Sequence, residues 1–133
     1  MTAVDTNIVV RFVTRDHPTQ SAAARSLFTA GPIWIAKTVL LETRWVLHYF
    51  YGYDEAAIHD AFTGLLGLEN VHIEDEASVV AALALIAHGL DFADALILSS
   101  RPAGAAFVSF DRSLVRCANR AGAPKVSTPP MLR

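Results

Sequence analysis

At 133 residues, 53% of them hydrophobic, the chain is long enough to bury the core of about one domain and too apolar to be disordered. Eleven basic against thirteen acidic side chains leave a net charge of −2. That excludes a nucleic-acid binder working through phosphate contacts alone; such a role needs a metal ion or a local basic face. No apolar run reaches the ~18 residues of a membrane span, and no basic segment precedes the acid at position 5, so neither a membrane anchor nor a secretory leader is expected. The single Cys117 excludes an intrachain disulfide and fits a reducing, cytoplasmic setting.

In chain order, Ala3-Val4 opens an apolar run that meets Asp5, Thr6 and Asn7, which reads as a very short buried strand delivering Asp5 to a helix N-terminus. Ile8, Val9, Phe12 and Val13 then keep helical spacing, predicting a helix over 7–14. Pro18 opens a second helix, because its missing N–H costs nothing in a first turn, and the Ala-rich stretch carries it to Ala30. Ile33-Trp34-Ile35-Ala36 is bulky and β-branched and reads as a second buried strand.

Thr38 is the expected N-cap of a long helix to about Phe50, apolar over most of its circumference yet holding Glu42. Gly52 ends it, and Asp54 caps the next helix, Glu55 to Leu66. Val71-His72-Ile73 is a third strand, followed by a helix from about Asp75 to Ala87 with Gly89 as its C′ residue. Asp91 starts a helix from Phe92 to about Ser100, and Asp94 lies inside its apolar run. Residues 105–110 read as a fourth buried strand terminated by Asp111, with a helix over 112–121 and a last edge strand over 124–127. Short strands without hydrophobic alternation, alternating with helices, predict an α/β chain: a three-layer α/β/α sandwich on a mostly parallel sheet, one domain over 1–133 with an irregular tail from about Thr128.

Four carboxylates, Asp5, Glu42, Asp94 and Asp111, sit inside or at the end of apolar segments, where a charge is expensive unless paired or coordinated. Asp5 and Asp111 end predicted strands, and in a parallel sheet such ends share one edge; Glu42 and Asp94 fall in the first turns of following helices. The expectation is one cluster holding a divalent metal. Oxygen ligands without His or Cys select Mg²⁺ or Mn²⁺, which activates water and neutralises charge developing on a phosphodiester. The chain has no Gly-rich phosphate loop, G-x-S-x-G elbow or H-E-x-x-H helix, and its histidines (17, 48, 59, 72, 88) form no ligand spacing. Each acid also has a plain structural reading: Asp5 and Asp111 as N-caps, Glu42 as an imperfectly spaced capping-box partner of Thr38, Asp94 as the partner of an arginine such as Arg44.

These residues carry a family resemblance. Val4-Asp5-Thr6-Asn7, Glu42 within Val39-Leu40-Leu41-Glu42, Asp91-Phe92-Ala93-Asp94-Ala95-Leu96-Ile97 and Val108-Ser109-Phe110-Asp111, in this order, resemble the PIN-domain ribonucleases, most of all the toxins of VapBC-type toxin–antitoxin pairs. The resemblance runs from residue 2 to about 112. It implies a metal-dependent endoribonuclease with Asp5, Glu42, Asp94 and Asp111 as its metal-binding and catalytic acids. It also implies Thr6 and Ser109 as residues that orient the acids or a metal-bound water, Asn7 holding the turn behind Asp5, and Asp91 as an accessory acid. Ser109 departs from the Thr common in such proteins but keeps the hydroxyl. The implied partners are RNA, a cognate antitoxin and a second copy of the chain in a homodimer.

Arg11 and Arg15, on the first helix near Asp5, are candidate phosphate contacts. Arg112, Arg116 and Arg120 form a stripe at spacing four whose ordinary reading is a solvated face, with RNA contact through Arg112 as the sharper one. The aromatic-rich end of the third helix and the apolar helix after it read either as core or as a partner groove. Two other readings stay open: a non-catalytic acid-pocket module of the phosphoacceptor-receiver kind, disfavoured because Asp5 stands alone after the first strand and Lys125 comes late, and a DNA-directed nuclease of the same fold. An Asp-x-Asp phosphatase is disfavoured because Asn7 holds the second acid's place.

Overall fold

A computed structural model describes residues 1–130. The chain runs β1 (Thr2–Ala3), α1 (Thr6–Thr14), α2 (Pro18–Ala30), β2 (Ile33–Ile35), α3 (Lys37–Tyr51), α4 (Glu55–Leu66), β3 (Val71–Ile73), α5 (Glu76–Ile86), α6 (Phe92–Ser99), β4 (Phe107–Val108), α7 (Arg112–Arg120) and β5 (Val126–Ser127). Among the described residues every strand pair is parallel, so the expected α/β class with a small parallel sheet is what forms. It divides into two compact units, Met1–Glu76 and the remainder from Ala77.

In the first unit β1, β2 and β3 lie in that order, with Thr2 opposite Ile33 and Ile33 opposite Val71. Ile33 and Ile35 point into the core while Trp34 is half-buried, the period of two that a strand imposes. On α3, Leu40, Thr43 and Leu47 are fully buried at spacings of three and four, one helix stripe. Phe62, Ile58 and Leu65 of α4 complete the core, and Phe12 of α1 stacks on Phe28 of α2 with ring centroids 4.0 Å apart.

The caps decide where these helices start and stop. His17 Nδ1 accepts from Gln20 N–H at 3.0 Å and Pro18 takes the first position of α2. At its other end Asn70 donates to the carbonyls of Phe28 and Gly31, which the helix leaves without partners. Asp54 caps α4 by accepting from Ala57 N–H at 2.8 Å. Gly52 ends α3 in the left-handed region, φ 71°, where a side chain would be strained.

In the second unit β4 and β5 pair as a two-stranded parallel ladder, and Val79, Leu83, Phe92, Leu96, Leu98, Leu114 and Ala118 form its core. Arg101 holds the loops that feed both strands, donating to the carbonyls of Ala105 at 3.0 Å and Pro124 at 2.8 Å. Gly89 takes φ 97° after α5, and a Cβ there would stand 3.3 Å from Cys117 Sγ. Among the described residues no helix is long and apolar enough to cross a membrane.

Three expectations change. Thr38 is not the cap of α3, which begins at Lys37 with Ala36 in the cap position, two residues earlier than a Thr38 cap would place it. The first strand is two residues long, and both are exposed rather than buried. The fourth pairs only at Phe107–Val108, because its ladder partner β5 is itself two residues long; Val108 is 55% exposed and Phe110 80%. Thr128, Pro129 and Pro130 carry no regular structure, and the rest of the expected tail lies outside the described residues.

Candidate functional site

Asp5 follows β1 by one residue. It takes an extended backbone, φ −92° and ψ 179°, and its Oδ1 accepts the Ile8 N–H at 3.1 Å as the N-cap of α1. The carboxylate is exposed, and among the described residues the cap bond occupies only one of its oxygens. Thr6 and Asn7 are the first two helical residues behind it. Glu42 is the sixth residue of α3 and exposed, on the side of the helix away from the buried Leu40, Thr43 and Leu47. Because β1 and β2 are parallel neighbours, Asp5 and the start of α3 leave the sheet at the same edge, one strand spacing apart, about 4.8 Å. Ligands gather at such an edge in α/β folds.

In the second unit the pattern repeats. Asp91 caps α6, its Oδ1 accepting the Asp94 N–H at 2.8 Å, so it fixes the turn that presents Asp94; Asp94 is half-buried as the third helical residue. Asp111 follows β4 and caps α7, its Oδ1 accepting the Leu114 N–H at 3.1 Å. Ser109 Oγ in turn accepts the Asp111 N–H at 3.0 Å, while Ser109 N–H donates to the Ser127 carbonyl at 3.1 Å. The hydroxyl therefore ties the acid's backbone to the end of the β4–β5 ladder. A cavity of about 470 Å³ in this unit lies at the other end of that ladder, where Arg101, Pro102 and Pro124 border it together with small side chains, and it contains no acid.

Helix capping is thus the local reason for Asp5, Asp91 and Asp111, and in Asp5 and Asp111, both exposed residues, the cap bond engages one carboxylate oxygen. Carboxylate oxygens suit a hard divalent cation, whose ligands are oxygens. Among the described residues no three His, Cys, Asp or Glu side chains are grouped as a metal ion needs.

The arginines differ in how committed they are. Arg11 lies at the far end of α1 from Asp5, about 9 Å along the axis at 1.5 Å per residue. Its guanidinium donates to Gln20 Oε1 at 2.8 Å, Asp16 Oδ1 at 3.1 Å and the Tyr51 hydroxyl at 3.2 Å. The Thr14 and Tyr51 hydroxyls, ahead of Arg11, hold the Asp16 carboxyl down to about 2, and burial with the facing Asp16 pushes the Tyr51 phenol up. Arg15 takes the left-handed C-cap of α1, φ 55°, and is exposed. Arg112, the first residue of α7, is exposed, as are Arg116 and Arg120.

Sequence reasoning passed over Lys37, Glu74 and Asp75, which stand with Asp5 at the same edge of the first unit's sheet. Glu74 Oε1 accepts the Lys37 N–H at 2.9 Å, and Asp75 Oδ2 meets Lys37 Nζ at 2.8 Å. The sequence hides them, because Thr38 offers a cap of its own; once α3 starts at Lys37, Ala36 has no side-chain acceptor and a lysine in the first turn opposes the macrodipole, so acids from elsewhere are needed.

The PIN domain family matches residues 2–120, a span that contains Asp5, Glu42, Asp94 and Asp111. Comparison with curated proteins gave no match.

Proposed function

The chain belongs to the PIN-domain family, a family of nucleases that typically depend on divalent metal ions, and from that premise we propose that it is an Mg²⁺- or Mn²⁺-dependent endoribonuclease acting in the cytoplasm as the toxin of a toxin–antitoxin pair. One observation carries this reading: the matched span holds all four acids, and two of them, Asp5 and Asp111, stand at the exit of a parallel strand with one carboxylate oxygen left over from capping. On the family resemblance, Asp5 and Glu42 of the first unit and Asp94 and Asp111 of the second are the proposed metal-binding acids. The bound ion would polarise the scissile phosphate and lower the pKa of an attacking water.

The protein's own contribution is placement. The α1, α6 and α7 caps fix the backbone on which Asp5, Asp94 and Asp111 sit, so each acid is pre-organised before an ion arrives. Ser109 holds Asp111 in turn, in line with the orienting role the family resemblance gives it, and Thr6 and Asn7 are assigned theirs on that resemblance. Arg11, Arg15 and Arg112 are the proposed phosphate contacts; Arg15 and Arg112 are exposed, while Arg11 also ties the end of α1 through bonds to Gln20, Asp16 and Tyr51.

For partners, α3 offers a surface. Trp45, Tyr49 and Phe50 are 51%, 64% and 71% exposed, and the Trp45 ring centroid lies 5.4 Å from that of each of the other two. Three adjacent exposed aromatics are a costly way to meet water, which supports a covering partner, assigned here to the antitoxin or a second copy of the chain. The test of the catalytic reading is cleavage of a single-stranded RNA and of DNA of the same sequence by antitoxin-free protein in Mn²⁺. RNA cleaved and DNA spared is the expected outcome; the reverse moves the chain to the DNA-directed alternative.

A further inference from the structure

A helix that carries a metal ligand must be held along its axis as well as packed on its side, and α3 lacks the usual local device. Its cap position is Ala36, which has no side-chain acceptor, so its first-turn amides need a partner from elsewhere. That partner comes from the far end of the same crossover. The chain leaves β2, forms α3 and α4, returns along β3, and Glu74 then reaches back to accept the Lys37 N–H at 2.9 Å.

Glu74 is itself anchored, because its own N–H donates to the Ile35 carbonyl at 2.9 Å and extends the β2–β3 ladder by one bond. The next residue, Asp75, adopts φ 51°, a left-handed backbone that is uncommon outside glycine, and its Oδ2 meets Lys37 Nζ at 2.8 Å. Two successive acids thus grip one residue, by its main chain and by its side chain. Lys37 and Glu42 are five residues apart on one rigid helix, about 7.5 Å along its axis at 1.5 Å per residue.

We propose that Glu74 and Asp75 are positioning residues for Glu42: they fix the axial place and rotation of α3 at the strand-exit edge where Asp5 also stands. Neither acid is assigned as a ligand. The proposal rests on the reading of Glu42 as a metal ligand made above. Outer partners of metal ligands are worth roughly 10–100-fold in ion affinity, and for an exposed clamp acting through a helix the low end, about 10-fold, is expected.

The test is Mn²⁺ binding by calorimetry, well below the melting temperature, for wild type, Glu74→Ala, Glu74→Gln and Glu42→Gln, with hydrogen exchange at the Lys37 amide. Glu74→Ala is expected to weaken Mn²⁺ binding about 10-fold and to deprotect that amide, while Glu74→Gln, which keeps the accepting oxygen, restores most of both. A Glu74→Ala variant that is folded and deprotected at Lys37 but binds Mn²⁺ like wild type reduces the clamp to a structural cap and overturns the proposal. Loss of binding in Glu74→Gln equal to that in Glu74→Ala overturns it too, since charge rather than position is then what counts. The underlying reading fails separately: Glu42→Gln binding Mn²⁺ like wild type removes Glu42 as a ligand whatever Glu74 does.

Discussion

Asp5 is assigned two jobs, and one pair of variants separates them. As the N-cap of α1 it needs only an oxygen that accepts the Ile8 N–H; as a metal ligand it needs a charge. Replacing an N-cap Asp by Ala costs about 1 kcal/mol, within a range of roughly 0.5–2. For a chain of this size that is a fall of about 3–5 °C in melting temperature. Asn caps nearly as well as Asp, so Asp5→Asn loses only the attraction of a charge to the helix N-terminus, about 0.3–1 kcal/mol. Asp5→Asn is therefore expected to sit between wild type and Asp5→Ala in urea denaturation. Mn²⁺ affinity measured on the same samples is expected to fall at least about 10-fold in both variants. The two readouts thus rank the variants differently. Equal destabilisation by Asn and Ala refutes the cap, and wild-type Mn²⁺ affinity in Asp5→Asn refutes the ligand.

Three further expectations follow from other parts of the structure. Phe62 is fully buried in the core of the first unit, so Phe62→Ala should cost about 3–5 kcal/mol, read from the denaturation midpoint at unchanged slope. Asp16 has its carboxyl lowered from 3.8 to about 2, so the stability it contributes is fully present above the unfolded value and is lost as pH falls through about 2. Wild type and Asp16→Asn should accordingly converge in stability between pH ~4 and pH ~2, with a carboxyl NMR titration of Asp16 centred near the lower value. Phe50→Asp combined with Trp45→Ala should leave the melting temperature within about 2 °C, both side chains being exposed, and convert the proposed dimer to a monomer in light scattering; a variant as dimeric as wild type places the interface elsewhere.

What the sequence made legible is set by how local each signal is. The bounds of α4 and β3 were readable to the residue because Asp54 caps the helix from the adjacent position and Val71-His72-Ile73 is a short apolar run closed by acids. The start of α3 lies two residues before the place a Thr38 cap predicts, because its acceptor, Glu74, is contributed from 37 positions away while Thr38 offers a local cap. The burial of β1 and β4 was overread because apolar composition says what a strand can bury, not what it meets. For the acids, capping is the legible part: Asp5 and Asp111 after strands, and Asp91 after the α5–α6 loop, are caps, and each cap bond engages one carboxylate oxygen. Arg11 is legible only in part. Its place on α1 suggests phosphate, and the structure adds that its Nε and one terminal nitrogen donate to Gln20, Asp16 and Tyr51, the last 40 positions away.

The most direct measurement of the central claim is Mn²⁺ binding by calorimetry on antitoxin-free protein, wild type against Asp94→Asn, with RNA cleavage assayed on the same samples. The substitution leaves the Asp94 N–H on Asp91 in place and replaces the carboxylate by a neutral amide. The account predicts that wild type binds the ion and cleaves RNA, and that the variant does neither while melting close to wild type. A wild type that binds no Mn²⁺, beside a variant that is merely less stable, would make Asp94 a structural acid and contradict the metal-dependent nuclease.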